Sequence, residues 1–338
     1  MAELLRRRGY EPELDEVGNV YARRGRRGGP LLLLACHTDT VFPAGTPVTV
    51  VREGDVLRGP SIGDNSLGVA ATLSAFDILD QLELETRADI VMVANVGEEG
   101  LGNLRGARAA VERFAGNIGA MLAVEGHNLG RVTNGAVGSK RWRISVFGPG
   151  GHSWGAFGEP SAIHGLARAV ARIAELTPPE DPRTTFNVGL IQGGTSVNTI
   201  AAEASCVLDL RSIDSGALDQ IDADVRGILE RTIGNGLRWE IEILGERPAG
   251  KLADGHPLVL SALETLRWLG IEGTRDASST DANIPISLGI PAVCIGITRG
   301  GRGHSVDEFI QVSPIADGLA QLLRLCVDVT DAIAGGSM

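Results

Sequence analysis

Six consecutive apolar residues, Leu31 to Cys36, are followed at once by His37, Thr38 and Asp39. A continuous apolar run of that length is a strand buried on both faces, and such strands belong to parallel sheets with helices on either side. Ile90 to Val96, Ala120 to Val124 and Ile290 to Ile297 repeat the pattern, while Leu67 to Leu79 carries Val69, Leu73, Phe76 and Leu79 at helical spacing. The alternation predicts an α/β fold with a mostly parallel sheet covered by helices. It ends in a helix from Pro314 to Ile333, with Ser313 as N-cap and proline at the first position.

Near residue 139 the pattern changes. Arg141 to Phe147 alternates polar and apolar residues, as a half-exposed strand does. A helix (Ile163 to Leu176), two strands (Thr185 to Ile191, Ala204 to Leu210), a second helix (Ala217 to Ile233) and a strand (Leu237 to Leu244) follow. That order is β-α-β-β-α-β, the ferredoxin-like arrangement. The predicted organisation is therefore one α/β domain, residues 1–138 and 248–338, interrupted by an inserted α+β domain over 139–247. The inserted strands alternate, so one sheet face is open to solvent or a partner.

The formal net charge is −11, offset by no basic tract beyond short clusters such as Arg23 to Arg27. With 4% aromatic residues as well, a nucleic-acid footprint is excluded. Glycines and prolines break every apolar stretch before it could span a bilayer, so no membrane role is expected. The cysteines Cys36, Cys206, Cys294 and Cys326 stand far apart within apolar runs and read as buried free thiols of a reducing compartment. No apolar signal region follows the arginines of Met1 to Tyr10, so a cytoplasmic protein is expected. The 46 glycines fit an enzyme whose site is built from tight loops.

The chemistry gathers where apolar strands end. In extended chain, residues two apart point the same way, so His37 and Asp39 leave the strand together, at the edge where open α/β sheets collect ligands. A carboxylate beside a histidine suits the support of a metal-bound imidazole, although a satisfied loop histidine has the same look. Asp64, in Gly63-Asp64-Asn65, or Ser66 reads on its own as an N-cap. Glu98 and Glu99 follow another buried strand. Being adjacent they face opposite ways, so one can bind metal while the other faces the substrate as a base. Glu125 ends a further strand, and the loop Gly300-Gly301-Arg302-Gly303-His304 supplies a second histidine. Glu308 reads as the partner of Ser305 in a capping box.

Taken together, five loops present His37, Asp64, Glu99, Glu125 and His304, with Glu98 left over. Three carboxylates facing two divalent cations leave a single positive charge, which one bridging hydroxide neutralises. Nitrogen and oxygen donors without thiolate suit zinc, with cobalt or manganese as substitutes. Such a pair acidifies its water and polarises a carbonyl, as amide hydrolysis requires.

His37-Thr38-Asp39-Thr40-Val41, Gly63-Asp64-Asn65, Glu98-Glu99, Glu125 and the glycine-rich loop with His304 resemble the dinuclear zinc metallopeptidase and amidohydrolase family of peptidase T, carboxypeptidase G, aminoacylase and succinyl-diaminopimelate desuccinylase. The resemblance runs over essentially the whole chain and includes the inserted lid domain through which members dimerise. It implies that Asp64 bridges two metals, that His37 and Glu125 complete one site, and that Glu99 and His304 complete the other. Glu98 would be the general base for a metal-bridging hydroxide, and Asp39 would support His37. In the lid, Gly151-His152-Ser153 resembles the segment whose histidine stabilises the oxyanion in the partner's site. Gly193 to Asn198 resembles the segment that offers a substrate-binding asparagine, Asn198. Asp209-Leu210-Arg211 resembles the one whose arginine, Arg211, takes a substrate carboxylate. Read alone, Arg211 is a surface ion-pair residue and His152 structural. Upstream of Gly9 the resemblance implies more opening helix than the sequence carries. Ser279 to Pro285 and the ending around His304 are most similar to the peptidase T side, which favours short peptides over N-acyl amino acids, a deacylase or desuccinylase being the alternative.

A rival reading takes Gly151-His152-Ser153-Trp154-Gly155 as a nucleophile elbow, with Ser153, Asp281 and His304 in α/β-hydrolase order. It leaves the acids and His37 unexplained. A catalytically silent binding protein of the same fold would be expected to lack part of the ligand set, and none is missing.

Overall fold

A computed structural model describes all 338 residues, which divide into two compact units: Met1–Ala136 with Lys251–Met338, and Val137–Gly250. The first unit is built on a mixed sheet whose centre is parallel. Leu31–His37 lies between Ile90–Asn95 and Ile118–Glu125 and runs parallel to both, and Ala292–Gly296 runs parallel to Ile118–Glu125. Val20–Arg24 flanks Ile90–Asn95 antiparallel, and Arg131–Ala136 does the same beside Ala292–Gly296.

Alternate side chains of the Leu31–His37 strand explain why all seven of its residues are buried. Leu32, Leu34 and Cys36 enter one core with Phe76, Leu79 and Leu325; Leu31, Leu33 and Ala35 enter another with Leu104 and Ala107. Helices Gly68–Gln81 and Ile315–Ala334 cover the first face and Arg105–Arg113 the second. After Leu31–His37 the chain adds Ile90–Asn95 on one side and then Ile118–Glu125 on the other. That reversal is a topological switch point, and it opens a crevice at the carboxyl ends of the strands. His37 is the last residue of the central strand there.

The second unit is a four-stranded antiparallel sheet in the order Thr184–Gly193, Glu203–Ser212, Gly138–Phe147, Arg238–Arg247. With helices Ala162–Ala174 and Ser215–Thr232 this is β-α-β-β-α-β. The core holds Trp142, Ile144, Leu166, Leu208 and Leu229. Leu190, Ile191 and Ile243 are exposed. All four cysteines are free and buried, and no helix is long and apolar enough to cross a membrane.

Two local expectations fail. Ser313 does not cap the last helix, which begins at Ile315 behind Pro314 without a side-chain cap; the Ser313 hydroxyl instead donates to Asp55. The Ser305–Glu308 capping box does not form either, because no helix follows Glu308. The next element is the strand Phe309–Gln311, paired with Val56–Arg58, and the Glu308 side chain turns inward.

Candidate metal centre

His37 is 1% exposed, and its Nε2 lies 3.0 Å from Asp64 Oδ1 and 3.5 Å from Glu125 Oε1. His304, on the glycine-rich loop, places Nε2 3.2 Å from both Asp64 Oδ2 and Glu99 Oε1. The two oxygens of Asp64 thus serve two neighbouring groups, His37–Asp64–Glu125 and Asp64–Glu99–His304. Within each group the ligand atoms lie within 4.8 Å of one another. Asp64 does not cap the helix Gly68–Gln81, which has no side-chain cap, and neither does Ser66.

Asp39 departs from the role of a carboxylate partner for His37. Its backbone oxygen is 3.1 Å from His37 Nδ1, closer than its carboxylate at 3.7 Å. The carboxylate accepts from the backbone N–H of Glu98 (3.2 Å) and of Glu99 (2.9 Å). One residue therefore orients the imidazole with its main chain and the paired glutamates with its side chain. Glu98 is 7% exposed. On the other flank of Asp64, Asn65 donates to Val124 O and accepts from Gly126 N, tying the Asp64 turn to the strand that ends in Glu125.

The electrostatics match the geometry. Burial opposes charge on His37, but Glu125 and Asp64 outweigh it and hold its proton affinity well above the ordinary value. Burial would raise Asp64, yet the hydrogen bond and charge of His37 pull it below the usual carboxylate range. Burial and the nearby Asp64 push Glu99 up. Three acids and two imidazoles here stabilise positive charge among themselves, the condition a divalent cation satisfies. Glu99 Oε1 is buried and receives no aligned hydrogen bond, which leaves it a lone pair for a ligand. The donor set fits two metal ions of the zinc class.

In the second unit, Gly151–His152 pairs with Thr199–Ile200, and Ser153 N donates to Asn198 O, so His152 and Asn198 share one loop cluster. His152 Nδ1 accepts from the N–H groups of Trp154 (3.2 Å) and Gly155 (3.3 Å). That leaves Nε2 as the protonated, donating nitrogen of the neutral ring. Arg211 lies elsewhere. Gly193 and Ala204 pair at the loop end, whereas Arg211 pairs with Thr185. Seven residues of strand, ~23 Å, separate Arg211 from Ala204, and its Nε donates to Asp209 at 2.7 Å. The rival triad finds no support. Asp281 is buried and accepts from Asn95, while His304 turns to Asp64 and Glu99.

Two residues the sequence reading passed over belong to this centre. Glu308 Oε1 accepts from the N–H groups of Gly63 and Asp64, and His127 Nε2 lies 2.8 Å from the same oxygen. Glu308 shares its loop with His304 and His127 stands two residues after Glu125, proximities that could have marked both.

Residues 33–328 match peptidase family M20/M25/M40. The chain belongs to this family. A succinyl-diaminopimelate desuccinylase of Nitrosomonas europaea is 28% identical over 340 aligned positions, covering 93% of this chain and 87% of its own. Among solved structures, a tripeptidase from Staphylococcus aureus aligns with TM-score 0.84 at 23% identity, over 97% of this chain and 91% of that one. The aminopeptidase PepT of Bacillus cereus aligns with TM-score 0.81 at 22% identity, over 97% and 91%. As a member of the M20 family the chain is a metallohydrolase, and its mixed α/β fold is that of these neighbours.

Proposed function

We propose that the chain is a dimetal amide hydrolase acting on short peptides, with His37, Asp64 and Glu125 holding one ion and Asp64, Glu99 and His304 the other. The observation that carries this reading is the sharing of one carboxylate, Asp64, between two adjoining ligand groups. Ions of the zinc class held by these residues would supply acidification of a water and polarisation of the scissile carbonyl. Glu98, held by its backbone to Asp39, takes a proton from the attacking water and returns it to the leaving amine. His152, its Nε2–H free to donate, meets the developing oxyanion in the site of a partner copy, and Asn198 beside it holds the substrate. The assembly proposed is a homodimer joined through the second unit, whose sheet exposes Leu190 and Ile191. Arg211, whose Nε donates to Asp209, is proposed to take a substrate carboxylate. The reducing surroundings of four free thiols favour a cytoplasmic setting.

A cavity of about 640 Å³ in the first unit supports a peptide over a succinylated substrate. It touches His37 and Asp39, and its walls include Phe42, Pro43, Val48 and Ile62. These apolar walls suit an apolar side chain of a peptide. The relatives named as desuccinylases keep N-acyl amino acids as the second reading. Kinetics on di- and tripeptides beside N-acetyl, N-succinyl and N-carbamoyl amino acids test the choice. Apolar dipeptides are expected to give the highest kcat/KM, and a preference for N-succinyl substrates overturns it. Activity that survives exhaustive chelation would overturn the dimetal reading itself.

A further inference from the structure

Glu308 is completely buried, and a single oxygen of its carboxylate gathers three contacts: Gly63 N at 2.8 Å, Asp64 N at 2.7 Å and His127 Nε2 at 2.8 Å. Its other oxygen is buried with no donor, as is His127 Nδ1. A buried carboxylate left half satisfied costs stability, and an apolar residue of similar volume would serve the core better. What Glu308 contributes is position. Asp64 must direct its two oxygens to two different groups, and a side chain with two torsions can do so only if its backbone is fixed. From one flank Asn65 fixes it to the Glu125 strand. From the other, the anchor is Glu308 Oε1.

Glu308 is itself held firmly. Its backbone oxygen accepts from Gly59 N and its N–H donates to Ser305 O, and the strand Phe309–Gln311 follows immediately. The His127 ring wedges between two loops that carry ligands. A Cβ at Gly63 would come within 2.2 Å of His127 Nε2, and one at Gly300 within 2.6 Å of the ring. Glycine is required at both places for room, since neither has a left-handed backbone. The wedge therefore couples the Asp64 turn to the loop that delivers His304.

We propose that Glu308, with His127, is a positioning residue for both metal ions: it sets the backbone of the shared ligand Asp64 without touching either ion. The inference rests on the dimetal reading and concerns the order of the apo site. The test is calorimetric titration of metal-free protein with zinc, beside circular dichroism and thermal unfolding of the same samples. The wild type is expected to take up two ions. Loss of an outer partner of a ligand typically weakens metal binding about 10- to 100-fold, and E308A is expected to do so by more than any fall in its metal-free Tm accounts for. E308Q keeps a carbonyl oxygen where Oε1 stands and is expected to recover most of the affinity. E308D keeps the charge but withdraws it by one methylene, and is expected to bind weakly. Wild-type zinc affinity in E308A overturns the inference. So does a loss of affinity in E308A and E308Q alike that follows a matching fall in Tm. If E308A does not fold, E308D decides: weakened binding with native dichroism supports positioning, and unchanged binding overturns it. A wild type that takes up fewer than two ions removes the dimetal reading instead, so the two failures are distinguishable.

Discussion

The ligand loops of the first unit and the His152 loop of the second are built on opposite plans. Around Asp64 the polar groups, apart from the exposed His304, are at least partly buried and several are held by another segment: Asp39 by Glu98 and Glu99, Asn65 by the Glu125 strand, Glu308 by Gly63 and Asp64. The His152 ring bonds locally, to Trp154 and Gly155, and Trp154 and Phe157 stand 88% and 91% exposed. The first arrangement is organised before anything binds. The second is an exposed surface, which under the proposed function a partner copy would complete. An ion needs donors fixed to a fraction of an ångström, whereas a substrate contact can be completed as the partner or substrate arrives.

The largest expected effect separates two adjacent residues of the buried plan. E98Q should retain both ions yet lose ~10²–10⁴ in rate or more, the usual range for a general base. E99Q should instead lose an ion, and metal analysis alongside kcat distinguishes them; equal metal content with equal activity loss would refute the division of labour. Next, H152A should lower kcat by ~10²–10³ with metal content intact. Mixing H152A with E98Q under subunit exchange should restore about a quarter of wild-type activity, because about half of the dimers then contain one intact composite site. If exchange is demonstrated and nothing returns, His152 acts within its own chain or not at all, and the cross-subunit step falls. D39A frees the backbone of both glutamates at once, and a fall of ~10–100-fold in metal affinity or activity is expected, measured by zinc titration and turnover.

The smallest effect is on stability. Burial raises the Asp281 carboxyl from 3.8 to about 6. The folded state thus binds this proton more tightly than the unfolded chain, so the contribution is fully present below the unfolded value and declines as pH rises through about 6. Denaturant melts of metal-free protein should show wild type losing stability relative to D281N between pH 4 and 7. Parallel pH profiles would place the proton elsewhere.

The buried plan was the more legible in sequence, and the reason is physical. Apolar runs such as Leu31 to Cys36 can only be strands covered on both sides, so the residues that end them fall at one edge. His37, Asp64, Glu99, Glu125 and His304 are accordingly found together. The inserted β-α-β-β-α-β was readable because its strands alternate. Strand order was not, since the antiparallel flanks depend on pairings between distant segments. Glu308 was missed because Ser-x-x-Glu has the local form of a helix cap, and only tertiary packing turns that side chain toward Gly63 and Asp64. Asp39 was half read: spacing placed it beside His37, but no local rule links it to the backbone of Glu98 and Glu99. For Arg211 the motif suggested a substrate contact but no place, and only the strand register shows that it lies seven residues along the strand from Ala204.

The second unit enters and leaves the chain at neighbouring points. Ser139 at the start of its first strand is paired with Arg247 at the end of its last. In the first unit, Leu252 N donates to Asn134 O on the two sides of the interruption. Each unit therefore sees the other as an insertion between two ends that already touch. Closing that gap costs only loop entropy, which grows slowly with length. Such a junction tolerates large change in what is inserted without disturbing what it interrupts, so the metal-binding scaffold could keep its ligand loops while the appended module was lengthened, exchanged or dropped.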